Sequence, residues 1–151
     1  MSTSVEIKKE SMTISWVDGV QLAAEVRNHR VLVDQPLQEG GQDRGVTPIE
    51  MFVASLGTCI GYYAVRFFQR HKIPSTGFKI AMEWEYADQP HRIGTLTARV
   101  DLPTNFDPAM RERLRKVMEG CTVHNSITIA PVVSIQFATP DKAKAGEGAG
   151  K

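Results

Sequence analysis

The sequence predicts an α+β fold in which antiparallel sheets wrap long, buried central helices, and three observations carry that expectation. No charged residue occurs from Met51 to Val65, and the apolar side chains of that run fall on every side of a helical wheel. Two later segments, Gly77 to Tyr86 and Arg92 to Leu102, alternate apolar and polar residues at period 2. Between Asp107 and Glu119 the spacing of Met110, Leu114, Val117 and Met118 gives a single apolar stripe opposite Arg111, Arg113, Arg115 and Lys116.

Taken in order, residues 3 to 16 alternate loosely through Val5, Ile7, Met12, Ile14 and Trp16, which predicts one or two half-buried strands. Asp18-Gly19 marks a turn. Gln21 to Val26 and Arg30 to Val33 predict a further hairpin with Arg27, Asn28 and His29 at or near its turn. The connection DQPLQEGGQDRGV is polar and glycine-rich, longer than a simple turn, and of a length often given to function. Thr47 followed by Pro48 and Glu50 forms a capping box with proline at the first helical position, so the long helix starts there. Polarity returns at Arg66, Gln69, Arg70, His71 and Lys72, and Pro74 forbids continuation. The uncharged run is shorter than the roughly 18 apolar residues wanted to span a bilayer. Asp88 to His91 supplies the turn between the two alternating strands, and Asp107-Pro108 opens the second helix, which Gly120 stops. CTVHNSI adds a short turn or helix, and Val132 to Phe137 a last strand.

The chain reads as a single domain over residues 1–138 with a low-complexity tail at 139–151, TPDKAKAGEGAGK. Of its 151 residues 42% are hydrophobic and 23% charged, which is enough to bury a core. Eighteen basic against seventeen acidic residues leave a net charge of +1, so charge gives no case for nucleic acid or an acidic membrane as partner. The amino terminus, MSTSVEIKKESM, carries charge where a signal peptide needs its apolar core, and a reducing cytoplasm is expected. A helix apolar all round needs cover that a few short strands and one further helix supply only in part. The expectation is therefore an obligate homodimer with the long helices of two subunits together between sheets.

The two cysteines are the candidate chemistry. Cys59 sits mid-helix among Ala54, Ser55, Gly57, Thr58 and Gly61, small residues that would leave room for a ligand beside the sulfur; the plainer reading is that it packs. Cys121 follows a glycine at a helix end, where a thiol can swing toward a partner, and it too has a packing reading. Together they suggest a cycle in which a thiolate attacks a peroxide oxygen, forms sulfenic acid, and condenses with the second thiol. That chemistry wants a nearby cation and an apolar approach. His124 either tunes Cys121 or is an ordinary surface histidine. Cys59, Cys121, His124 and His29 lack the close ligand pairs of a structural zinc site, so no metal or cofactor is expected.

GGQDRGVTPIEMFVASLGTC at 40 to 59, HKIPSTGFKI after the helix, and MRERLRKVMEGCTVHNSI at 110 to 127 give the chain a resemblance to the OsmC/Ohr family of osmotically inducible and organic hydroperoxide resistance proteins, over roughly residues 15 to 138. The resemblance implies an intertwined dimer, with Cys59 peroxidatic and Cys121 resolving. It also implies small organic hydroperoxides as substrates and an external dithiol, lipoyl groups included, as reductant.

Two positions depart from the peroxidase branches it resembles. There a glutamate follows the helix-opening proline and pairs with an arginine on the amino-terminal hairpin. Here Ile49 follows Pro48 and the acid comes one place later, about 100° round the helix, as Glu50, which the capping box also explains. Nothing basic lies near Asp18 and Gly19; Arg27 and His29, in EVRNHRVLVDQP, are the nearest substitutes for the activating cation. The leading expectation is thus a thiol-dependent hydroperoxide reductase with Cys59, Cys121, Glu50, Arg27 and His29 as its candidate residues. The alternative is a dimer of the same fold that binds a small apolar or thiol-bearing ligand without turnover.

Overall fold

A computed structural model describes residues 9–139 of the chain. Its order is β1 (Thr13–Asp18), β2 (Gln21–Val26), β3 (His29–Val33), a short turn of 3-10 helix, α1 (Pro48–Arg70), β4 (Lys79–Ala87), β5 (Arg92–Asp101), α2 (Pro108–Glu119) and α3 (Thr122–Thr128). This is the α+β arrangement expected, in two separate antiparallel sheets, β1-β2-β3 and β4-β5.

Local chemistry sets the helix ends. The Thr47 hydroxyl accepts the Glu50 backbone N–H at 3.2 Å, and the Glu50 carboxylate accepts the Thr47 N–H at 2.8 Å, so the capping box is complete. Asp107 caps α2 in the same way, accepting the Met110 N–H at 2.7 Å. At 23 residues α1 outruns its uncharged stretch, and by length and composition alone it would suffice to cross a membrane. The core of the domain is built on it: Leu56, Ile60, Ala64, Phe67 and Phe68 join Phe106, Leu114, Met118 and Cys121 in one buried cluster.

The β4-β5 hairpin covers this cluster with the face carrying Ile80, Met82, Leu96 and Val100. It comes in close because α1 is thinned on that side. A Cβ at Gly57 would stand 3.0 Å from Met82 Cγ, and one at Gly61 3.5 Å from Ile80 Cδ1. The space left by those small residues, expected to admit a ligand, is therefore taken by β4.

The amino-terminal sheet stands apart from that core. Its register puts Ile14, Trp16, Leu22, Ala24, Val31 and Val33 on one face. Much of that face is uncovered, with Trp16 69% and Ile14 57% exposed. The open flank of α1 carries Phe52 and Tyr62, also exposed, so the expectation of a helix enclosed on all sides is not met within one chain. The strand expected at Val132 to Phe137 is not formed. That segment pairs with no strand among the described residues, and Val132 and Phe137 are almost fully exposed, at 99% and 96%. Alternation supplied the apolar pattern, but a strand also needs a neighbour's backbone groups. Val5 and Ile7, and the tail from residue 140, lie outside the described residues.

Candidate functional site

Asp34, which the sequence reading passed over, fixes the loop that delivers α1. Its side chain is buried, and its carboxylate accepts the backbone N–H groups of Gln35 (2.8 Å), Gln42 (3.1 Å) and Arg44 (3.1 Å) and the Gln21 side-chain amide (3.1 Å). Burial alone would raise its pKa; the donors from Arg44, Gln35, Gln42 and Gln21 outweigh burial and hold it below the usual carboxylate range. The loop closes so tightly on Asp34 that a Cβ at Gly41 would fall 1.8 Å from the Gln35 carbonyl oxygen. The available signal was an aspartate just before a glycine-rich turn, a residue type that binds nearby backbone N–H groups.

The loop ends at Thr47, and α1 then carries Cys59 three turns on. Cys59 is partly exposed and packs against the buried cluster, whereas Cys121 is fully buried, and both are free thiols. Cys121 serves as the N-cap of α3, its Sγ accepting the His124 backbone N–H at 3.3 Å. The turn from α2 into α3 is held from outside as well, since His124 Nδ1 lies 2.6 Å from the Glu119 carbonyl oxygen and must donate to it. Cys59 packs against the cluster that holds Cys121, close enough for its thiol to influence the proton affinity of Cys121. Residues 62 places apart in sequence thus meet as a thiol pair.

Burial, and after it the adjacent Cys59 sulfur, push the Cys121 thiol up, against the opposing pull of the His124 and Val123 backbone N–H groups. Cys121 therefore keeps its proton at neutral pH.

The other candidates lie elsewhere. Glu50 is in the capping box at the start of α1, and nine residues of helix rise about 13.5 Å, which puts it out of reach of the Cys59 on its own helix. Arg27 and His29 sit at the exposed tip of the β2-β3 hairpin, Arg27 with φ 53° in the turn and His29 paired with Val26 at the start of β3. Within one chain none of the three is brought to the thiol pair.

An apolar groove of about 720 Å³ opens between α1, the β4-β5 hairpin, α2 and α3, lined in part by Leu56, Ile60, Met82, Leu96, Met118 and His124. Leu56 and Ile60 flank Cys59 along α1, and Met118 and His124 bracket Cys121. Neither thiol is part of the groove's lining, whose polar side carries Arg111 and Arg115. Arg115 is already held by Glu112 and Glu119. Among the described residues no three or more His, Cys, Asp or Glu side chains are gathered as metal ligands.

Comparison with known proteins agrees with this architecture. An osmotic-stress-induced and detoxification-response protein of Psychrobacter arcticus superimposes with a TM-score of 0.72 at 14% identity, over 81% of this chain and 91% of that one. An OsmC-like protein of Mycoplasma pneumoniae gives 0.63 at 18%, over 81% and 89%. An organic hydroperoxide resistance protein OsmC of Legionella pneumophila gives 0.61 at 14%, over 80% and 90%. No curated protein sequence matches. The model of the OsmC-like protein family matches residues 40–136, a stretch that contains both thiols, the capping box and the α2-α3 turn, and the chain belongs to that family.

Proposed function

We propose that the protein is a thiol-dependent reductase of small organic hydroperoxides, working as a homodimer in a reducing cytoplasm. The observation that carries this reading is that the partly exposed Cys59 packs against the buried cluster to which Cys121 belongs, near enough for the two thiols to interact. In the first step the Cys59 thiolate attacks the terminal oxygen of ROOH, the O–O bond breaks, and ROH leaves with a proton. Cys121 then attacks the sulfenic sulfur, the S–O bond breaks, and water carries away the hydroxyl with the Cys121 proton. An external dithiol, a lipoyl group included, returns two electrons.

Mixing reduced protein with cumene hydroperoxide and counting free thiols tests the cycle. The expected result is loss of both thiols in the native chain and retention of the single remaining Cys121 thiol in Cys59→Ser. No loss, or equal loss in the two proteins, overturns it.

Homodimerisation is supported by the open apolar face of the amino-terminal sheet, by the uncovered flank of α1 at Phe52 and Tyr62, and by the bare segment from Ile129 to Phe137. In this reading any approach of Glu50, and of Arg27 or His29 as cation, to Cys59 is made across the dimer, since none of the three reaches the thiols within one chain. Sedimentation at micromolar concentration is expected to give twice the chain mass, and a monomer there would remove this part of the reading.

The open apolar groove favours a second reading, a dimer that holds a small apolar or thiol-bearing ligand without turnover. Catalytic consumption of peroxide with a dithiol donor decides against it.

A further inference from the structure

Resting on the two-cysteine reading above, we propose that the reductant attacks the Cys59 sulfur of the Cys59–Cys121 disulfide, and that Cys121 is always the departing thiol. Thiol–disulfide exchange is an in-line displacement whose site is decided by access to each sulfur and by the leaving thiol; burial, which pushes the Cys121 thiol up, makes it the poorer leaving group, so access is the factor that selects Cys59. Cys121 has no exposed surface and belongs to the same buried cluster as Phe106, Leu114 and Met118. A nucleophile aimed at it would have to displace close-packed side chains.

Cys59 is partly exposed, and its helical neighbours Ser55, Thr58 and Tyr62 face outward. The departing sulfur is received where it already sits, at the start of α3, with the His124 N–H directed at it.

The bonds and electrons follow from that asymmetry. A thiolate RS⁻ forms a bond to the Cys59 sulfur, and the S–S pair leaves with Cys121, which takes up one proton. The second thiol of a dithiol then attacks the sulfur of R, closing a cyclic disulfide and releasing Cys59 as thiolate. Two electrons pass from the dithiol to the protein. With a monothiol the nearby Cys121 attacks the mixed disulfide back.

The test uses the full chain oxidised with diamide, so that it does not depend on peroxide chemistry. A short pulse of glutathione, acid quench and peptide mass mapping are expected to place glutathione on Cys59 in at least about tenfold excess over Cys121. As a second measurement, dithiodipyridine is expected to label Cys59 in folded Cys121→Ser at least about tenfold faster than Cys121 in folded Cys59→Ser. Glutathione on Cys121 in equal or greater amount, or equal labelling rates, overturns the proposal. Failure of cumene hydroperoxide to oxidise the thiols sinks the peroxidase reading instead and leaves this one standing.

Discussion

Replacing Asp34 with alanine is expected to lower the thermal midpoint by on the order of 10 °C, because it strands four donors around a buried site. Three are the backbone N–H groups of Gln35, Gln42 and Arg44, all within the loop that Asp34 closes. Asp34→Asn keeps one acceptor oxygen and should lose less. Gly41→Ala should resemble Asp34→Ala, since its Cβ would collide with the Gln35 carbonyl in the same loop.

The pH dependence gives an independent check. The folded pKa of Asp34 lies below its unfolded value, so its contribution is complete above roughly pH 4 and is lost as pH falls through the folded pKa. Native chain and Asp34→Ala should therefore converge in stability toward low pH, as measured by urea midpoints. Curves that stay parallel from pH 7 down to pH 2 would show that the carboxylate is not what holds the loop.

Phe68→Ala is expected to cost about 3–5 kcal/mol, a large share of the roughly 5–15 kcal/mol by which a domain is stable. Phe68 is completely buried, and its ring meets Phe78 edge-on at 5.1 Å, Phe106 at 6.0 Å and Phe67 at 6.4 Å between centroids. One side chain thus joins the end of α1 to the approach of β4 and the approach of α2. Its removal opens a cavity that three rings on different elements cannot close together. Denaturant unfolding should show a lower midpoint at unchanged slope. Phe68→Leu, which keeps most of the volume, should cost appreciably less. A loss below about 1 kcal/mol for the alanine variant would mean that the rings repack freely and that this junction is not the centre of the core.

Much of the fold was legible because its signals act over a few residues. The Thr47–Glu50 capping box, the Asp107 cap, the stop at Gly120 and the short helix in CTVHNSI each depend on neighbours within one turn of chain. Alternation from Phe78 to Tyr86 and from Ile93 to Val100 sufficed for β4 and β5, since the two pair with each other across a short turn. The same rule misled at Val132 to Phe137. There the alternation is equally good, but no strand lies alongside to accept the backbone hydrogen bonds.

By itself the sequence determined the helices with their caps, the hairpins, the family and the identity of the two thiols. Only the tertiary structure decided that Cys121 is sealed in the core against a partly open Cys59, that Gly57 and Gly61 make room for β4 rather than for a ligand, and that Asp34 anchors the loop before α1. It also placed Glu50, Arg27 and His29 away from the thiols of their own chain. The reason is one of range: caps, turns and periodicity are settled by groups a few bonds apart. Burial, proton affinity and the meeting of two sulfurs depend on which distant side chains close-packing brings alongside.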